Sequence, residues 1–139
     1  MIHNIRFRLF VYPHENEYEL HDGLINVLGD VEVEREIAEG INEEPIVILS
    51  GRITKKKILK DLITNLKSDL NFDRDDFLDK IDKKMDENSN LFIRLSKESA
   101  KNKELEILDG GDSIHLKIKI AAYPSKKEIA IPIVKELFA

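Results

Sequence analysis

Residues 114–120 read IHLKIKI. The alternation puts Ile114, Leu116, Ile118 and Ile120 on one side of an extended chain and His115, Lys117 and Lys119 on the other, the pattern of a strand with one buried face. Just upstream, Leu105 to Leu108 is a second short strand. Asp109-Gly110-Gly111-Asp112 between the two carries the turn residues of a hairpin, with the glycines supplying positive φ. The same period of two opens the chain, where Ile5, Phe7, Leu9 and Val11 alternate with Arg6, Arg8, Phe10 and Tyr12 until Pro13 ends the run. It returns with Leu91, Ile93 and Leu95 inward and Phe92 and Arg94 outward. Pro45 to Ile53 is the most β-prone stretch and turns Ser50 and Arg52 outward. Val31, Val33 and Ile37 alternate with glutamates, which predicts an exposed edge strand, followed by a loop from Gly40 to Pro45.

Between these strands the period becomes helical. Leu20, Leu24, Val27 and Leu28 share one face within 14–28, with Gly29 as the stop. Thr54 predicts an N-cap, and Ile58, Leu59, Leu62, Ile63 and Leu66 form the stripe of the helix it starts. Residues 73–87 read as one helix with Phe77, Leu78, Ile81 and Met85 on its face, broken by Asn88-Ser89-Asn90. Ser125 to Glu128 matches a capping box, and Pro132 beyond it predicts a kink or two short pieces. With no repeat, low-complexity tract or linker, residues 1–139 form a single α+β domain: two layers, helices packed on one face of a mostly antiparallel sheet.

At 139 residues one core can form without staples. The absence of cysteine excludes a disulfide framework, a thiol nucleophile and cysteine-based metal sites. No apolar run approaches ~18 residues, and Met1-Ile2-His3-Asn4 lacks the features of a signal peptide, so a cytoplasmic protein without membrane contact is expected. The formal charge of -5 hides a segregation. Residues 14–44 carry eleven acids against Arg35 alone, and residues 45–67 carry six bases against Asp61 alone. There is no P-loop and no nucleophile elbow. Asp73-Arg74-Asp75-Asp76 lacks the later glycine and closing glutamate of a calcium loop. His14, His21 and His115 have no ligand spacing. Neither a catalytic set nor a metal or cofactor site is expected.

Two features point instead to a polyanion. If the strands pair in one sheet, its open face gathers Arg6, Arg8, Arg52, Arg94, His115, Lys117 and Lys119 with Phe10, Tyr12 and Phe92, and no acid. Cationic groups meet phosphates and rings stack on bases, the means by which sheet-based proteins hold single strands. Second, Lys55, Lys56 and Lys57 stand in the first turn of a helix, where the macrodipole favours acids, and Lys126 and Lys127 repeat the pattern. An anion there would meet free N–H groups, the positive helix end and the lysines together.

Four segments, IRFRLFVYPHENE, PIVILSGRITKKK, LFIRLSKESAKNKELEIL and IHLKIKIAAYPSKKE, occur in this order. Together they resemble a family of small archaeal proteins predicted to bind RNA and labelled as exosome subunits. The similarity spans roughly residues 2–128. It implies an RL5-like fold, RNA as partner, an archaeal cytoplasmic setting and company with RNA-processing machinery; it brings no catalytic residues. The alternative is a protein-interaction or dimerisation module, in which the acidic first third docks a basic partner or the sheet face closes on a second copy.

Overall fold

A computed structural model describes residues 1–39 and 44–139. In chain order the elements are β1 (Ile2–Val11), α1 (Glu17–Leu28), β2 (Glu34–Ala38), β3 (Ile46–Ile53), α2 (Lys56–Ser68), α3 (Arg74–Asp79), α4 (Ile81–Lys84), β4 (Asn90–Leu95), α5 (Lys97–Lys101), β5 (Ile107–Leu108), β6 (Ile114–Ile120) and α6 (Lys127–Leu137). The strands form one sheet in the order β2-β3-β1-β6-β4-β5, and every pairing is antiparallel. The expected loop from Gly40 to Pro45 falls largely outside the described residues.

Alternation decides which side of the sheet is wet. Ile5, Phe7 and Leu9 on β1, Ile114, Leu116, Ile118 and Ile120 on β6, and Leu91, Ile93 and Leu95 on β4 are all buried. Against them pack Leu20 and Leu24 of α1, Leu59, Leu62 and Leu66 of α2, and Ala130 and Val134 of α6. Phe77 and Phe138 close one end of this core, their ring centroids 4.6 Å apart. Gly51 on β3 is required by packing: a Cβ there would stand 2.5 Å from Cζ of Phe7 and 2.6 Å from the Glu32 carbonyl oxygen. Gly29 ends α1 at φ 87, a conformation open to glycine at no steric cost.

Five expectations change. The β5–β6 hairpin does not form: β5 pairs with β4, and β6 lies between β1 and β4. A seven-residue strand with four buried apolar side chains is better satisfied by a neighbour on each side than by a two-residue edge. In the connection, Gly111 has positive φ and Gly110 does not. Asp109 and Asp112 turn away to different lysines. The helix expected over 73–87 is two short ones that break at Lys80, so the chain can reverse: Met85 leaves the helix and bridges to Leu91. The Asp86 carboxylate fastens the reversal, accepting from the N–H groups of Asn88 and Asn90 and from Asn90 Nδ2.

Thr54 is not the N-cap of α2; Lys55 is, with no side-chain capping bond. Nor does Ser125 cap α6. Its hydroxyl donates to the Asn88 carbonyl and accepts from Lys119 Nζ at 2.8 Å, leaving Lys126 as the cap. Finally, of the kink or two short pieces expected at Pro132, the two pieces do not form: α6 is one helix, Lys127–Leu137. Pro132 and Glu128, whose carbonyl loses its helical donor, are both exposed, so water can satisfy that carbonyl. Sequence periodicity also missed α5, a five-residue helix capped by Ser96.

Candidate nucleic-acid interface

Register converts the outward positions into rows across the open face. In the first row Arg52, Arg6, Lys117 and Phe92 stand side by side on β3, β1, β6 and β4. The second runs Glu34, Ser50, Arg8, His115, Arg94 and Leu108 from β2 to β5. Residues of both rows line one open hollow. Arg6, Arg8, Arg52 and Lys117 are exposed, and Phe92 keeps 43% of its surface in water. Among the described residues, none of Arg6, Arg8, Arg52, Arg94 and Lys117 has a carboxylate at ion-pair distance. Like charges directly opposite on neighbouring strands repel, and an anion laid across the first row would relieve that repulsion; within the chain, the Lys117 charge helps hold the Asp86 carboxyl below its ordinary range.

His115 sits between two guanidinium groups. Arg94 Nη1 donates to the Gly111 carbonyl at 2.9 Å and lies 3.2 Å from His115 Nε2. A guanidinium can only donate, so Nε2 accepts and the imidazole proton belongs on Nδ1. Burial first, then Arg94 and Arg8, hold this histidine below the ordinary histidine pKa. The ring is thus a neutral spacer that orients Arg94.

The expected face is not free of acid. Glu34 pairs with Ser50 and Glu36 with Ile48, which places both glutamates on the open side of β2. The alternation of β2 alone could not reveal this, because it leaves open which side of the strand joins which side of β3. Arg35 between them points to the other face, where Nε and Nη2 donate to Glu17 at 2.9 and 3.1 Å.

The remaining candidates divide. Lys119 stands one row further, beside Asn4 and Asn90, and its ammonium is held by the Asn88 carbonyl and the Ser125 hydroxyl. Phe10 is half-buried with the Arg8 guanidinium 5.3 Å from its ring centroid. Tyr12 lies past the end of β1, its ring 5.0 Å from Lys97 Nζ. Lys97 escaped sequence reasoning, since nothing in Ser96-Lys97-Glu98 distinguishes a buried lysine from an exposed one. It is 5% exposed and donates to the Phe10 carbonyl, to Glu15 at 3.0 Å and to Asp112 at 2.9 Å. Burial pushes the Glu15 carboxyl up, and hydrogen bonds from the Tyr12 N–H and Lys97 more than reverse it, leaving it below the ordinary range.

Both helix starts lie at one end of the sheet, where β3 ends opposite Ile5 and β6 ends opposite Ile2. They differ in charge. Lys55, Lys56 and Lys57 are exposed, with no acid in the first turn of α2. Lys55 is the cap, so two lysines and not three occupy that turn. Lys127 instead pairs with Asp82 at 3.3 Å, and Glu87 and Glu128 line the same depression as Lys126. The start of α6 is therefore no concentrated positive site.

A family model described as RNA binding matches residues 4–120. An RNA-binding protein of Pyrococcus abyssi is 30% identical over 141 residues, covering 96% of this chain and 92% of that protein. A solved DUF54 protein of Methanothermobacter thermautotrophicus is 37% identical, with a TM-score of 0.87 over 100% of this chain and 99% of that one. Another DUF54 structure, from Archaeoglobus fulgidus, is 27% identical with a TM-score of 0.85, covering 99% of both chains.

Proposed function

This chain belongs to the RNA-binding family whose model spans residues 4–120, and from that membership we propose that it binds RNA on the open face of its sheet. Arg52, Arg6 and Lys117 grip the phosphate backbone, Arg8 and Arg94 flank them, and Lys55, Lys56 and Lys57 extend the contact at the end of β3. Lys119 and Lys126 are peripheral. Phe92 is the ring best placed to stack on a base, ahead of the more enclosed Phe10 and Tyr12.

The observation that carries this reading is the register of β3, β1 and β6, which sets three cations side by side, none with a carboxylate at ion-pair distance among the described residues. A polyanion laid across them relieves their mutual repulsion and gains the entropy of released counterions. We read the role as non-catalytic: the face offers donors, charge and a ring, the groups that hold a strand. We place the protein in the archaeal cytoplasm, as an accessory factor beside RNA-processing proteins or ribosome-related machinery. That setting rests on the exosome label of the family it resembles and on the organisms of its relatives. An RL5-like arrangement is compatible with helices on one face and an open sheet on the other.

Ultraviolet crosslinking of the purified protein to uridine-rich RNA, with the adducts mapped by mass spectrometry, tests the assignment. Adducts are expected at outward positions of β1, β4 and β6. Adducts confined to the helical layer would overturn it.

A further inference from the structure

The same face says which kind of RNA it takes. We propose that its ligand is single-stranded, and that Glu34 and Glu36, together with Phe92, are the residues that select against a duplex. This inference rests on the sheet-face reading above and deepens it.

The cationic surface is narrow. From Arg52 on β3 to Phe92 on β4 there are three inter-strand spacings, about 14 Å. One spacing beyond β3, about 5 Å away, β2 lays Glu34 and Glu36 on the same side. Both are exposed, and the only base on β2, Arg35, is tied to Glu17 on the opposite side. At the far margin the second row ends in Leu108, which is apolar. One phosphodiester strand fits between these borders. A duplex laid on the face brings a second one with it, and that strand lies over two carboxylates that have no ion pair among the described residues, or off the cationic surface altogether. Phe92 works in the same direction. Its ring stands exposed beside Lys117, and stacking needs a base with a free face, which a duplex keeps inside its own stack.

The test is fluorescence anisotropy at low salt with a labelled oligouridylate and a blunt RNA duplex of the same length. The wild-type protein should prefer the single strand by about ten-fold or more. Glu34→Gln with Glu36→Gln should raise duplex affinity about five-fold and so narrow the preference. Phe92→Leu should lower single-strand affinity about ten-fold and leave the duplex unchanged. Equal wild-type affinity for both ligands, or an unaltered ratio in the glutamine pair, overturns the inference. Arg6→Ala with Lys117→Ala separates it from the reading beneath. If that pair loses both ligands while the glutamine pair leaves the ratio unmoved, selection fails and the RNA face stands. If it loses neither, both fall.

Discussion

Replacing Arg6 and Lys117 together by alanine probes the centre of the face. The two residues oppose each other across β1 and β6, and Arg6 also opposes Arg52. Each phosphate neutralised on a single strand contributes about 0.7 to the slope of log K against log salt, so contacts from Arg52, Arg6, Lys117, Arg8 and Arg94 give about −3.5. Removing two should lower the magnitude of the slope by about 1.4. Relative to 1 M salt, each lost contact is worth about 0.7 of a decade at ~0.1 M, so the double variant should bind about 25-fold more weakly there. Stability should move the other way or stay level, because two like-charged oppositions disappear, while the lost side-chain stems cover little apolar surface. Anisotropy titrations at several salt concentrations, paired with thermal melts, give both quantities. An unchanged slope, or affinity lost only in step with melting temperature, would refute the reasoning.

Three further outcomes are expected. Lys55, Lys56 and Lys57 all changed to glutamate should weaken RNA binding while raising the melting temperature or leaving it level, since acids at a helix start are worth ~0.3 kcal/mol or more each; a lower melting temperature with unchanged binding contradicts this. His115 should titrate below the ordinary histidine range in an NMR pH series and move back up in Arg94→Ala, because burial and the neighbouring guanidiniums disfavour its charged form. The unfolded chain takes up that proton first as pH falls, so stability is full above the ordinary histidine pKa and declines from there towards the lower folded value; His115→Gln should flatten the decline in urea melts. Lys97→Met leaves Glu15, Asp112 and the Phe10 carbonyl without their cation, and should cost about 2 kcal/mol in urea unfolding, discounted for the partly exposed Asp112, with no change in the salt slope of binding.

Local alternation made much of the molecule readable. The inward set of β1, β4 and β6, the outward arginines and lysines, the face of α1 and the exposed character of β2 all follow from side chains two or four residues apart. Failures came where a distant partner outweighed a local signal. Asp109-Gly110-Gly111-Asp112 is sound turn chemistry, yet β4 takes the place beside β6 that a hairpin would have filled. Ser125 is a competent cap, but its hydroxyl is drawn to Asn88 and Lys119. Residues 73–87 carry one helical stripe, and the need for Met85 to turn back towards β4 breaks it.

The site divides along the same line. Which residues face outward is a property of period, and the chain alone determined that Arg6, Arg52, Lys117 and Phe92 would be among them. That they form a row, that Lys127 is spent on Asp82, and that Glu34 and Glu36 border the cations was decided only by strand order and register. The physical reason is range. Periodicity records what neighbouring side chains need from one buried surface, whereas the charge across a sheet depends on strands far apart in the chain, whose order is settled by how the whole core packs.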